Sequence, residues 1–580
     1  MRLFHPALQE MIMRAAFSLR LVAGLALVTL TLPAGLAGAQ TAHFLTVNTT
    51  ADSPTVCGAT GPCSLRGAVT YANNHPADIT NVAVRAGTYD LSSPLTITLD
   101  QGGKLNLNGA SQTRTIVTSG CNLCGNHKDV IINSGSVSMR SMSVEGGDAP
   151  VEGNLAGNGG AIDQEGGTLS LSSVTLSGNM ANDHGGALYL APTGQDTLTA
   201  VKIDNNYASN GGGIFLDTGG LTVTNGEMGH NFACAPMTGP SGMPMCMPAG
   251  QGMEGLYYGG AIFNYGATLT ITNTTIDNNT AEANGFGGGI ENEGSIDINR
   301  SVLTGNAAYY QDCGGVGGGM DDRESSPPSV SEITNTTIKA NFAGNLGGGV
   351  FEGMSLTLSN DRIINNQAGG LESGGTQASE VRKQVLEDAV NGAGGGIYGA
   401  GNVIGSGSVV PDSITTGLTH ITDTASYISG NVAVQSDNTI GGTDSDCASR
   451  GGGLYLTGYA IGSFSQTRLI SNAANCGGGS YQIPDQFITP VPQLTFSNNS
   501  ELYQNKAADD GGAMYLADEI CNNDTYLTLF NTRAVDNTAG AANGGGGLYD
   551  QGTGGYQISG YGGITGNHPN NITTAGGCFG

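Results

Sequence analysis

Hydrophobic and polar positions alternate along this chain in short runs, and the runs return at a regular interval. Thr168-Leu169-Ser170-Leu171 is followed by Val174-Thr175-Leu176, and Thr268-Leu269-Thr270-Ile271 by Thr275-Ile276. A period of two, with Thr, Val and Ile prominent, predicts short half-buried β-strands, about three to a repeat. No strand set this short buries an apolar face alone. Successive repeats must therefore stack and pair in parallel, coil upon coil.

Two marks punctuate the pattern. A Gly-Gly-small-apolar signature starts at Gly159, Gly185, Gly211, Gly259, Gly287, Gly317, Gly347, Gly394, Gly451, Gly477, Gly511 and Gly545, the Gly477 copy ending in Ser480. Ahead of nearly every copy stands an apolar-x-x-Asn signature, at Asn179, Asn206, Asn231, Asn279, Asn306, Asn341, Asn366, Asn431, Asn472, Asn505 and Asn537, with Asn567 before Gly576-Gly577. Gly and Asn are the residues that best tolerate a positive φ, and one Asn per coil suits a ladder of side-chain amides. The closest copies are 26 residues apart, from Ile162 to Leu188 to Ile214. The expected fold is all-β, a right-handed parallel β-helix; the hand follows the preference of parallel crossovers.

Residues 1–39 read as a signal peptide. Arg14 and Arg20 precede the apolar run Leu21 to Leu32, and Ala37-Gly38-Ala39 offers a cleavage site. That run is shorter than the about 20 apolar residues of a membrane-spanning helix, and no later segment supplies one. Residues 40–78 then form an N-terminal segment, and 79–580 the β-helix, with insertions near 232–258, 367–393 and 399–450. The second insertion carries Val381, Val385, Leu386 and Ala389 at the spacing of a short amphipathic helix.

Composition sharpens this picture. The 580 residues include 97 glycines and no tryptophan, yet 38% are hydrophobic, which favours a buried core over disorder. A net charge of −27 repels nucleic acid and anionic lipid, both of which need clustered Lys or Arg. Eleven cysteines in an exported chain point to disulfides. Spacing pairs Cys57 with Cys63, Cys121 with Cys124 and Cys234 with Cys246; repeat position adds Cys447 with Cys476 and Cys521 with Cys578. The run Met243-Pro244-Met245-Cys246-Met247 offers soft sulfur donors for Cu(I), although the exported-cysteine argument favours a disulfide-closed loop there.

Two stretches resemble known families. Phe44-Leu45-Thr46-Val47-Asn48 through Cys57 to Cys63-Ser64-Leu65-Arg66-Gly67-Ala68 resembles the CSLREA domain of exported bacterial β-helix proteins, with Gly67 where that motif has Glu. Ser64 would N-cap a helix whose Leu65, Ala68, Val69 and Ala72 cover the open first coil. Residues 159–580 resemble the Gly-Gly-Ala-Ile repeats of polymorphic outer-membrane proteins. That resemblance implies a surface adhesin, although the membrane β-barrel that usually ends such proteins is not recognised here. Pectate lyases and polygalacturonases are similar in expected fold, but their Gly-His-Gly and Arg-x-Lys motifs are missing.

Candidate chemistry falls in the position after each Gly-Gly signature. It is aromatic at Tyr189, Phe215, Phe263, Phe351, Tyr398, Tyr455, Tyr481, Tyr515 and Tyr549. Stacked coils would align these rings, either as an exposed stripe that binds a sugar or protein, or as a covered ladder that stabilises stacking. The exceptions are Asp163, Glu291 and Asp321. With Glu293, Asp322, Arg323 and Glu324, the last two form the densest charged cluster of the chain. Glu291, Asp321, Asp322 and Arg323 are the candidate catalytic set, and Glu291, Glu293, Asp321 and Asp322 the candidate Ca²⁺ ligands; the plainer alternative is a solvated turn. No other cofactor is implied.

These readings predict a secreted or cell-surface, adhesin-like protein, monomeric, whose partner is a glycan or a surface protein. Two other functions stay open: a polysaccharide lyase or glycoside hydrolase of the same fold, and a structural component of the cell envelope.

Overall fold

Each turn of the chain is short, and what it lacks in length it makes up by repetition. In the computed structural model the coil at Ile262 runs through strands Ile262–Asn264, Thr268–Thr272, Thr275–Asp277 and Thr280–Ala281 before the next coil opens at Ile290–Asn292. Described residues are 40–574 apart from 59–60, 120–126, 151–156, 193, 239–243, 248–254, 283, 310–314, 324–330, 354, 371–391, 401–418, 435–446, 448, 459, 485–492, 518–526, 543 and 552–555. The leader, the helix expected near Val381, and Cys121, Cys124, Cys521 and Cys578 lie outside them.

The chain is a parallel β-helix. Ile262 pairs with Ile290, Ile290 with Met320, Met320 with Val350 and Val350 with Ile397, always in parallel and in register. The strands sort into a long sheet with two strand columns per coil, a sheet of 15 three-to-six-residue strands and a sheet of 12 two-residue strands. From Ala42 on they form one unit. Alternation sends every second residue inward, and these meet in one continuous apolar core that includes residues from Val47 to Ile564. Among the described residues, α-helix is confined to Leu65–Asn73.

Corners form where the backbone enters the left-handed region. At the Gly-Gly corner Gly259 has a φ of 64°. Its neighbour Gly260 is glycine for a different reason: a Cβ there would lie 2.2 Å from the Gly288 carbonyl of the next coil. The Asn signature acts otherwise than the sequence suggests. The left-handed residue is the one before it, as at Asn205, His230, Asn278, Asn365 and Gln504.

The signature Asn instead points inward. Asn366 Nδ2 donates to Asn431 Oδ1 (2.9 Å) and to the Ile338 carbonyl (3.0 Å). Its Oδ1 accepts from both the backbone N–H and Nδ2 of Asn341, each at 3.0 Å. The same pattern runs unbroken from Asn179 to Asn567. Each amide is buried and fully used, which a buried polar group requires.

The first coil is closed as expected. Ser64 Oγ accepts from Gly67 N (2.9 Å), and Leu65, Ala68, Val69 and Ala72 join the core. Arg66 fixes the helix to the coil: its Nε and Nη2 grip Asp52 at 2.7 and 2.9 Å, and its Nη1 donates to the Pro94 carbonyl (2.9 Å). That bidentate grip and two Ser92 hydrogen bonds lower the Asp52 pKa to about 2 against the opposing pull of burial. At Gly67 a Cβ would meet the Thr55 carbonyl at 2.2 Å, so glycine is the residue that fits there. Disulfides join Cys57 to Cys63, Cys234 to Cys246 and Cys447 to Cys476.

Replacing Asn366 with Ala strands its four partners in the core. We expect a loss of stability of about 3 kcal/mol or more, measured as a lower urea midpoint, whereas Thr357→Ala on the outer face of the same coil should change it by no more than about 0.5 kcal/mol.

Candidate functional site

The charged cluster is divided by strand alternation. Glu291 is opposite Asp321, and the column continues to Phe263 on one side and Phe351 on the other. Asn292, Asp322 and Glu352 project to the other face, into the solenoid. There Asn264 Nδ2 donates to Asn292 Oδ1 (2.6 Å), and Asn292 Nδ2 to Asp322 Oδ1 (2.7 Å). The expected four-carboxylate Ca²⁺ site of Glu291, Glu293, Asp321 and Asp322 therefore does not assemble. Among the described residues no group of three or more His, Cys, Asp or Glu side chains is placed to hold a metal.

The acids that remain together are sealed. Glu291 and Asp321 are both fully buried. Arg323 takes Asp321 in a two-point grip, Nε to Oδ1 at 2.9 Å and Nη2 to Oδ2 at 2.7 Å. Burial, reinforced by the negative Asp321, pushes the Glu291 pKa well above the carboxylate range. No protein N–H or O–H among the described residues reaches either Glu291 oxygen. Glu291, Asp321 and Asp322 are thus buried, with Arg323 partly exposed beside them, where the catalytic reading of these four residues expects acids open to a substrate.

Arg323 also repairs the aromatic column. Its guanidinium lies 4.0 Å from the Phe286 ring centroid and 5.3 Å from that of Phe351. Phe286 in turn stacks on Tyr258 and Tyr258 on Phe263, each at 5.2 Å. A planar cation thus stands where two coils lack a ring. From Phe351 the stack continues through Tyr398, Tyr455, Tyr481 and Tyr515 to Tyr549, with centroids 4.7–5.4 Å apart. At its other end Tyr189 stacks on Phe215, which meets Phe263 edge to face.

That column is covered. Phe215, Phe263, Phe351, Tyr455, Tyr481 and Tyr515 are at most 6% exposed, and Tyr189, Tyr398 and Tyr549 are partly buried. Leu346, Ala393, Ala517 and the Cys447–Cys476 pair pack over its later part. Period two correctly sets these rings outside the central core, but it says nothing of what folds over them. The ladder stabilises stacking and is not an open binding stripe. The third exception, Asp163, pairs with Lys128.

What is open is the outer face of the long sheet. Thr197, Thr222 and Thr270 align on successive coils, as do Thr199, Thr224 and Thr272; beyond Asp297/Asn299 and Glu332/Thr334 the columns resume with Thr357/Ser359, Thr422/Thr424, Ser463/Ser465 and Thr495/Ser497. All of these side chains are partly or fully exposed.

Beside the columns lies a charged patch that the sequence reading missed. Lys202 Nζ is 3.6 Å from Asp204 and 3.7 Å from Glu227, and His230 Nδ1 is 3.3 Å from Asp204. Asp204 and Asp277 flank the coil of Gly229, where a Cβ would be 3.6 and 3.1 Å from their Oδ1 atoms. Missing a side chain, Gly229 lets the two carboxyls converge. Partial burial raises the Asp277 pKa, with Asn278 and His230 opposing. The signal was present at the matching positions of Lys-Ile-Asp, Glu-Met-Gly-His and Thr-Ile-Asp, but the insertion after Phe232 separates two of these coils.

No protein-family model matches the chain, and no curated protein matches its sequence. Among solved structures it is similar to the A-module of mannuronan C-5 epimerase AlgE4 of Azotobacter vinelandii, at 13% identity and a TM-score of 0.32, over 92% of this chain and 100% of that one. It is also similar to the pectate lyase Pel9A, at 11% identity and a TM-score of 0.25, over 90% of this chain and 79% of that one. At such values neither likeness carries an activity to this chain.

Several acids buried in the coils have raised pKa values: Asp361 about 7, and Asp196, Asp322 and Asp423 about 6, each chiefly through burial. Between the ordinary Asp value near 4 and these values the folded chain binds more protons than the unfolded one. The contribution of these acids to stability is then full below about pH 4 and is lost as pH rises toward 7; the melting temperature should be higher at pH 5 than at pH 7.5. Arg323→Lys keeps the charge but loses the two-point grip and the stacked plane. It should cost on the order of 2 kcal/mol, seen as a lower melting temperature with no loss of any surface binding.

Proposed function

We propose that this chain is an exported, adhesin-like β-helix protein that acts by surface contact, with a glycan or a surface protein as its partner. The observation that supports this reading most is a contrast of access. The acids of the charged cluster are sealed beneath their neighbours, whereas the long sheet holds columns of Thr, Ser and Asn in solvent and in register. Hydroxyl and amide groups at the strand spacing of about 4.8 Å suit the hydroxyls of an extended glycan. The leader-like residues 1–39, the disulfides and the resemblances of the cap and the repeats fit an exported protein.

The patch of Lys202, Asp204, Glu227, His230 and Asp277 supports a second reading, a polysaccharide lyase or glycoside hydrolase. Two carboxyls, one with a raised pKa, beside an imidazole and an amine are the parts of an acid–base site. Incubating the purified mature chain with acidic and neutral polysaccharides, with and without Ca²⁺, separates the two. Retention on the polysaccharide without turnover is the expected outcome. New reducing ends or unsaturated products that vanish in Asp204→Asn and Asp277→Asn would overturn the contact reading and establish the enzymatic one.

A further inference from the structure

The insertion that leaves the coil after Phe232 is built around sulfur. Pro236–Thr238 and Pro244–Cys246 form an antiparallel pair in which Met237 is directly opposite Met245 and Pro236 opposite Cys246. Met247 N donates to the Ala235 carbonyl (2.8 Å), which carries the pairing one residue pair further. Alternation then sorts the side chains. Met237, Met245 and Met247 share one face of the ribbon, and Cys246 takes the other, where it is bonded to Cys234.

Cross-strand neighbours have Cβ atoms roughly 5 Å apart and diagonal neighbours roughly 7 Å, and Met carries three rotatable bonds before its methyl. Three thioethers on one face are thus within reach of a common point. The site has an inner wall and an open mouth. Met247 packs with Ala233, Tyr257 and Ala281, while Met245 is 36% exposed. The disulfide removes the two nearest thiols from competition and leaves the thioethers as the soft donors of the loop.

We propose that Met237, Met245 and Met247 form a binding site for a soft monovalent cation, Cu(I). Thioether sulfur selects that ion over hard or borderline cations, which prefer oxygen or imidazole. The site is independent of the long sheet and of its partner, so it stands or falls separately from the function proposed above.

Silver(I), a soft monovalent ion without redox chemistry here, is the probe. The full mature chain, disulfides intact, is titrated with silver nitrate in chloride-free buffer, and Cu(I) affinity is read by competition with a chromogenic chelator. Because eleven cysteines leave at least one thiol unpaired, free thiols are first blocked with N-ethylmaleimide; one equivalent should then bind, and neither Ca²⁺ nor Zn²⁺ should displace it. The Met237→Leu/Met245→Leu/Met247→Leu variant conserves volume and should keep its circular dichroism and melting temperature while losing about tenfold or more in affinity. The proposal is overturned if silver does not bind, if this variant binds it unchanged, if Zn²⁺ competes, or if binding appears only after the disulfides are reduced.

Discussion

Hydrogen bonding between one coil and the next is the constraint from which the rest of this molecule follows. A single turn of a few short strands leaves its backbone groups and its inward amide unpartnered, and only another turn, in register, can satisfy them. The signature Asn makes that demand strict. Its Oδ1 accepts from the previous coil, its Nδ2 donates to the next coil's Asn and to a carbonyl of an earlier coil, and a slip of one residue would break every rung. Glycine at the second place of each Gly-Gly corner answers the same constraint, since the next coil's carbonyl already occupies the space of a Cβ.

Stacking in register also decides what the side chains can do. Residues one apart on a strand never share a face, so Glu291 and Asp322 belong to different environments although their coils adjoin. Residues at one position of every coil always meet, so an aromatic column forms whether or not a partner exists to use it. Where two coils carry acids instead of rings, the stack demands a planar substitute, and Arg323 supplies both that plane and the countercharge. The cluster that looked most like chemistry is thereby a repair of the column.

Much of the fold was legible because the repeat is written at short range. Period two, the Gly-Gly mark and the recurring Asn are local features, and parallel stacking is their simple joint solution. The Ser64 cap could also be read directly. Three things could not. The pattern does not say whether the signature Asn or the residue before it takes the left-handed place, because both choices satisfy it. Period two puts the aromatic column outside the central core, but its cover comes from the Leu346, Ala393 and Cys447–Cys476 segments, which strand periodicity does not position. The patch around Gly229 stayed hidden because an insertion breaks the sequence interval between its coils, and convergence there depends on a side chain that is absent.

The Asn ladder closes just as well over an interruption as without one. Asn341 and Asn366 are 25 residues apart and meet at 3.0 Å; Asn231 and Asn279 are 48 apart, Asn366 and Asn431 are 65 apart, and each of those pairs meets at 2.9 Å. Loop length is thus uncoupled from the geometry of the scaffold, because the entropy of closing a longer loop grows only with the logarithm of its length. Evolution, or an engineer, can lengthen, exchange or graft a segment at one coil and leave every other coil where it was. A lineage built on this frame can therefore change what it touches without having to relearn how to fold.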